Sequence, residues 1–178
     1  MRLICAVVQE EAAGIIDGRV GELTKTVDSL SKWINKGDAV GSLWFKVDGL
    51  EELRKKGGPI FSPHLYSHIN GYKLRIRVNV SSGGYLGVYS VICKGEYDDV
   101  LSWPARGLSV SVTLINHRTK EAYQTRTIKY DNHKCNKPID KDNVPSGYIW
   151  GVSLPNLDST PGMIVSDSLL LLVTARPP

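Results

Sequence analysis

The feature that most constrains this chain is a change of period. Up to about residue 38 apolar residues repeat every seven; beyond Ser42 they alternate every two. In the first segment Ala13, Val20, Val27 and Ile34 stand seven apart, and Ile16, Leu23 and Leu30 form an interleaved set. Steps of four and three define a heptad with two seam positions, the pattern of a helix wound on a partner helix. Gly14, Gly18 and Gly21 each weaken a lone helix by about 1 kcal/mol. All three fall outside the seam, so association offsets that weakness. "NKGDAVG", with Gly37 and Gly41, ends the helix. Residues 1–38 are therefore expected to form a coiled-coil oligomerisation helix; one amphipathic helix packed on its own domain is the alternative.

From residue 42 to 178 the reading is β. "SLWFKV" (42–47), "YKLRIRVNV" (72–80), "YLGVYSVICK" (85–94), "LSVSVTLIN" (108–116), "AYQTRTIKY" (122–130), "YIWGVSL" (148–154) and "SLLLLVTA" (168–175) are predicted strands. The turn signals "SSGG", "NHRTKE", "NVPSG" and "NLDSTPG" separate them, and "LEELRKKGG" reads as a helical turn closed by glycine. Strands at this spacing, without helices between them, imply an antiparallel sandwich or barrel. "SSGG" is short enough to join 72–80 and 85–94 as a hairpin. In "YKLRIRVNV", Tyr72, Leu74, Ile76, Val78 and Val80 share the core face, while Lys73, Arg75, Arg77 and Asn79 form a basic stripe. Such a stripe is either a solvated face or a rigid seat for an acidic ligand. Trp44, Trp103 and Trp150 are expected to anchor the core.

Composition narrows the function classes. Apolar residues make up 42% of the chain, enough for a real core, and the net charge of +4 is spread with no block beyond Arg54–Lys56. That balance gives no support to nucleic-acid binding. No apolar run approaches the length of a membrane span, and "MRLICAVV" is cut short by "QEEAAG", against a secretory leader. Three cysteines, Cys5, Cys93 and Cys135, stand far apart without a CxxC pair. They argue against zinc fingers and a disulfide framework and for a reducing, cytoplasmic compartment.

Catalytic chemistry finds little support. Glu96, Asp98 and Asp99 in "GEYDDVLSWPARG" have no histidine nearby in sequence to complete a metal set, and aspartates beside turns commonly cap backbone N–H groups. His133 and Cys135 are two apart, but no orienting group or oxyanion motif accompanies them. GxSxG, HExxH, P-loop and GxGxxG patterns are absent. Cys93 and Cys135 are expected to be buried packing residues. No enzyme, metal or cofactor is expected.

Taken in order, several segments resemble the C-terminal half of the tumour-necrosis-factor-receptor-associated factors, the TRAF family. "SLWFKVDGLEELRKK" resembles the family's opening strand and short helix. "IFSPHLYSHINGYKLRIRV" is similar to its IFSP-x-FY…GYK segment. "CKGEYDDVLSWPARG" matches its KGEYDxLLxWPF element except at Ala105. "CNKPIDKDNVPSGY" and "MIVSDSLLLLVTA" resemble its later motifs. The resemblance implies an eight-stranded antiparallel β-sandwich (TRAF-C/MATH) after a trimeric coiled coil. The heptads themselves, with Val20, Val27 and Ile34 beside Leu23 and Leu30, lean towards a dimer.

The resemblance also implies an adaptor that takes extended peptides by β-augmentation at a sheet edge. These come from the cytoplasmic tails of TNF-receptor-like or Toll/interleukin-type receptors and from their adaptors, linking clustered receptors to ubiquitin-dependent signalling. The family arginine that faces the peptide's acidic residue falls on Arg77. The family tyrosine two residues on is Asn79, and a serine trio falls on Asn132, His133 and Lys134. The backbone donors fall on Ser146 and Gly147, followed by Tyr148, and Arg75 belongs to the same stripe. These departures leave the peptide motif open. The alternative is a MATH-type substrate-recognition domain of a ubiquitin ligase or deubiquitinase.

Overall fold

The structure is a computed structural model that describes residues 18–25, 39–130 and 133–178, with the His133 side chain not included. The chain divides between Gly37 and Asp38, at the end of the predicted 1–38 helix. In the first unit, α1 (18–25) is helical. It carries two seam residues, Val20 and Leu23, which are 53% and 64% exposed. Ala13, Ile16, Val27, Leu30 and Ile34 lie outside the described residues.

The second unit is a two-sheet β-sandwich. Its strands are β1 (Ala39–Val40), β2 (Ser42–Asp48), β3 (Ile60–Phe61), β4 (Leu65–Tyr66), β5 (Lys73–Val80), β6 (Tyr85–Ile92), β7 (Ser109–Ile115), β8 (Ala122–Lys129), β9 (Ser146–Ser153) and β10 (Ser168–Arg176). One sheet runs β1-β4-β5-β6-β9, with β3 also on β5; the other runs β2-β10-β7-β8. Each of the seven predicted strands is found, with ends shifted by at most two residues. The count of ten exceeds the expected eight for two reasons. β3 and β4 are halves of one broken strand on the same flank of β5, and β1 is a two-residue stub. That stub pairs parallel with β4, the one parallel ladder among the described strands.

The break between β3 and β4 has a local cause. Pro63 supplies no N–H, so the ladder cannot continue through it. Ser62 compensates: its backbone N–H donates to Ile76 O, and its Oγ accepts from Ile76 N at 2.8 Å. The hairpin β5–β6 forms as expected, pairing Val80 with Leu86 through Leu74 with Ile92.

Alternation places the core. Leu74, Ile76 and Val78 point inward from β5, and Leu86 and Val88 from β6. Val110, Val112 and Leu114 of β7 and Leu169, Leu171 and Val173 of β10 meet them, all fully buried. Val47 opposes Leu169, and Phe45 opposes Leu171, which also opposes Leu114. The "LEELRKK" helix, α2 (Leu50–Lys56), adds Leu50 and Leu53 to this core. Its acids lie in the first turn and its basic residues in the last, the arrangement the helix dipole favours.

Two expectations are corrected. "NLDSTPG" reads as a turn, yet Leu154–Ser159 is a helix, α3. Ser153 Oγ accepts from Asn156 N and Pro155 sits in the first turn, two start signals that the short segment conceals. Trp44 was expected in the core, but it is 56% exposed. Phe45 and Val47 take the inward face of β2, and a period of two forces Trp44 outward. Trp150 is 1% exposed and belongs to the core, and Trp103 packs partly buried against it. Accordingly, Trp150→Ala should lower unfolding free energy by about 3–5 kcal/mol, and Trp44→Ala by under about 1 kcal/mol, both read by urea denaturation. Comparable losses would contradict the assignment of Trp44 to the surface.

Candidate peptide-binding surface

The acidic loop after β6 is structural. Asp98 is buried, and its Oδ2 accepts from Gly95 N at 2.9 Å. Its carbonyl accepts from Trp103 Nε1 at 2.8 Å. Tyr72 donates to Ser102 O at 2.6 Å and meets Trp103 edge-on at 5.0 Å. Asp99 pairs with Lys137 at 2.6 Å, and that bond holds its carboxyl below the usual carboxylate range. Asp98 and Asp99 are thus committed to loop geometry, and no group of three or more metal-ligating side chains occurs among the described residues.

The open margin of the six-stranded sheet is β9. Among the described strands it pairs with β6 on one flank and with none on the other. The predicted donors Ser146 and Gly147 and the following Tyr148 are its first three residues. Ser146 is buried, whereas Tyr148 and Ile149 are exposed. Beyond Ile149 the register shifts, so that Ile149 opposes Gly87 and Ser153 opposes Tyr85. Trp150 and Val152 keep the parity of Tyr148, whose partner Val88 faces inward, and enter the core.

Registers across β5, β6 and β9 define two rows on the outer face. Arg77 opposes Tyr89, which opposes Gly147; Asn79 opposes Gly87, which opposes Ile149. Glycine is required at Gly147, where a Cβ would strike Val88 O and Tyr89 Cα; at Gly87 a Cβ would meet only the end of the Asn79 side chain, which can turn away. Arg77 is not on the margin itself. It lies two strands in, roughly 10 Å at ordinary strand spacing. Its guanidinium leans over the Tyr89 ring at 5.6 Å from the centroid, towards β9. Gly147 places no side chain in the way.

The stripe divides its labour. Arg75 donates to Asp142 Oδ2 at 2.8 Å and stacks on Phe61 at 4.1 Å. Lys73 lies over the Tyr66 ring at 5.9 Å. Arg77 has no ion-pair partner among the described residues. The segment leading into β9 is pinned across this face. Asp142 Oδ1 accepts from Lys94 N, and Asn143 N donates to Ile92 O. Asn143 Nδ2 donates to the Lys134 and Asn136 carbonyls, and Lys134 Nζ donates to Pro145 O at 3.0 Å. Lys134, predicted to face the peptide, therefore braces the loop. Asn132 and the His133 side chain lie outside the described residues. The structure adds Tyr89, Phe61, Asp142 and Ile149 to the surface. Of these, only Tyr89 was recoverable from sequence, by parity along "YLGVYSV".

Comparison with known proteins follows this geometry. The TRAF/meprin MATH-domain family profile matches residues 58–172. Mouse TNF receptor-associated factor 5 is 28% identical over 138 residues, covering 74% of this chain and 25% of its own length. Mouse TNF receptor-associated factor 1 is 29% identical over 118 residues, 64% of this chain and 29% of its own. The chain thus spans about a quarter of the length of these curated relatives. The solved structure of Notothenia coriiceps TRAF5 superposes with a TM-score of 0.69 at 20% identity, covering 96% of this chain and 89% of that one; this likeness concerns the fold.

The cysteines behave as packing residues. Cys93 and Cys135 are both buried. Burial first, then the neighbouring Asp142, pushes the Cys93 thiol from 9.0 up to about 12, and Arg75 offsets part of this. Burial also raises the Tyr130 and Tyr72 hydroxyls. A raised folded-state value favours the neutral form. Its contribution to stability is whole below the unfolded thiol's value and declines as pH rises towards the folded one. The urea midpoint should therefore fall from about pH 9 upward, and Cys93→Ala should flatten part of that fall. An identical slope in the variant would show that the thiol is not held neutral by the fold.

Proposed function

This chain belongs to the TRAF/meprin MATH-domain family, and from that premise we propose that it is a non-enzymatic signalling adaptor. It binds extended peptides by strand addition to β9. The peptides come from cytoplasmic tails of TNF-receptor-like or Toll/interleukin-type receptors, or from their adaptors, and the chain couples them to ubiquitin-dependent signalling in the cytoplasm. Among the described residues no helix is long and apolar enough to cross a membrane.

The observation that carries this reading is the unpaired flank of β9 with the Arg77–Tyr89–Gly147 row beside it. An added strand gains backbone hydrogen bonds that do not depend on its sequence. Discrimination comes from the row: a peptide carboxylate opposite Gly147 extends over a position without a side chain and meets the free guanidinium. Charge-assisted hydrogen bonds of this kind contribute about 1.5–3 kcal/mol. Ser146, Tyr148, Ile149 and Asn79 supply the remaining contacts.

A disordered tail loses freedom on binding, so a single groove gives a weak complex. The heptad stalk, Ala13, Ile16, Val20, Leu23, Val27, Leu30 and Ile34, joins chains into a trimer. Three grooves on clustered tails then add a factor of about 10² or more. The exposure of Val20 and Leu23 supports this use of the seam.

Two measurements test the proposal. On a peptide array, acidic-residue-containing peptides should bind, and Arg77→Glu should weaken them at least about tenfold; unchanged binding would place the groove elsewhere. Removing residues 1–38 should reduce the mass found by light scattering from trimer to monomer. An oligomer that survives the deletion would remove the stalk from the mechanism.

A further inference from the structure

Beside the β9 margin the outer face of the six-stranded sheet holds a groove of about 630 Å³, lined by Phe61, Arg75, Arg77, Lys141, Asp142 and Pro145 among others. Its charges do not balance. Three cations face one acid, and that acid is spoken for: Asp142 gives one oxygen to Arg75 and the other to Lys94 N. Arg77 and Lys141 have no acid within ion-pair distance among the described residues. Arg77 rests on Tyr89 instead, and Lys141 is exposed. The groove therefore carries two uncompensated positive charges, and the buried Nε of Arg75 has no acceptor.

We propose that this groove takes a phosphorylated side chain, with Arg77 and Lys141 holding the phosphate dianion. The inference rests on the peptide-binding reading above and narrows its ligand class. A carboxylate brings one negative charge and satisfies Arg77 alone. A phosphomonoester brings nearly two and three acceptor oxygens, which matches the two cations without an acid partner that line the groove. Phe61 and Pro145 add apolar surface to the lining, which strengthens the pairing relative to open water. The position favours a peptide as the bearer. Pro145 lines the groove and the next residue, Ser146, begins β9, so a segment paired with β9 passes the groove's mouth. Arg75 and Asp142 do not contact the phosphate; they hold the Lys141 segment against β5.

The test uses the full chain and three degenerate ten-residue peptide libraries with serine, glutamate or phosphoserine fixed at the centre. Phosphoserine should bind about tenfold more tightly than glutamate, and that ratio should shrink with added salt. Lys141→Gln should bring the ratio close to one. Equal binding of the glutamate and phosphoserine libraries, or a ratio that survives Lys141→Gln, overturns the phosphate assignment and leaves the adaptor reading standing. Failure of all three libraries overturns both. Binding to phosphoinositide-containing vesicles without a phosphopeptide preference would assign the groove to a membrane surface and also overturn the proposal.

Discussion

The contact on which the surface depends is the close approach of β9 to β6 at Gly147. Any side chain there would enter Val88 O and the Tyr89 backbone. Because the position is bare, β9 seats in register on β6. The Tyr89 ring then lies between Gly147 and Arg77. One missing Cβ thus does two things. It lets the sheet close around Trp150, and it opens a lane from the margin to a cation two strands inside. A guanidinium standing directly on an edge strand would need no such lane, but it would also be hydrated and screened.

Arg75 and Arg77 are two residues apart on one face of one strand, yet their environments differ. Arg75 is half-buried, ion-paired with Asp142 and stacked on Phe61. Removing one partner of such a pair leaves a charge without compensation, which costs more than the pair contributes. Arg77, half-buried as well, has no ion-pair partner among the described residues and rests on the Tyr89 ring, a contact worth about 0.5–2 kcal/mol. A ligand that takes Arg77 therefore displaces little. A ligand that takes Arg75 must first break the tie that holds the approach to β9. This asymmetry is why the functional readings above rest on Arg77.

Much of the sandwich was legible because alternation is a local signal. The inward faces of β2, β5, β7 and β10 can be read from Phe45, Val47, Leu74, Ile76, Val78, Val110, Val112, Leu114, Leu169, Leu171 and Val173 without knowing what they touch. Trp44 was misplaced by weighing size over parity. α3 was missed because six residues carry less than two turns of periodicity, and its cap at Ser153 belongs to the preceding strand. The rows were hidden for a different reason. Counting "SSGG" as the whole loop pairs Val80 with Tyr85, but Ser81 bonds Tyr85 through its backbone and Oγ and shifts the register by one. A slip of one residue moves every side chain to the other face, so Arg77 would have seemed to face Val88 rather than Tyr89. The Arg75–Asp142 pair, the Lys134 brace and the groove all join segments distant in sequence, and no local pattern announces them. The use of β9 as a margin entered only through the family resemblance.

The geometry also bears on why the proposal joins a groove of this kind to an oligomerising stalk. On the proposed reading a ligand meets Arg77 only after crossing β9 over Gly147, so its acidic side chain must be extended and ordered. That ordering opposes binding by roughly 0.5–1.5 kcal/mol for each rotamer-rich side chain. The backbone ladder on β9 is equally available to any extended peptide. A deeper pocket would raise affinity, but it would bind isolated tails as readily as clustered ones. A shallow lane with one free guanidinium keeps each contact weak, and the advantage of joining chains grows with the number of tails presented together. On the proposed reading weakness at the single site is a condition for responding to clustering, and the exposed Val20 and Leu23 belong to the seam that the proposal assigns to that response.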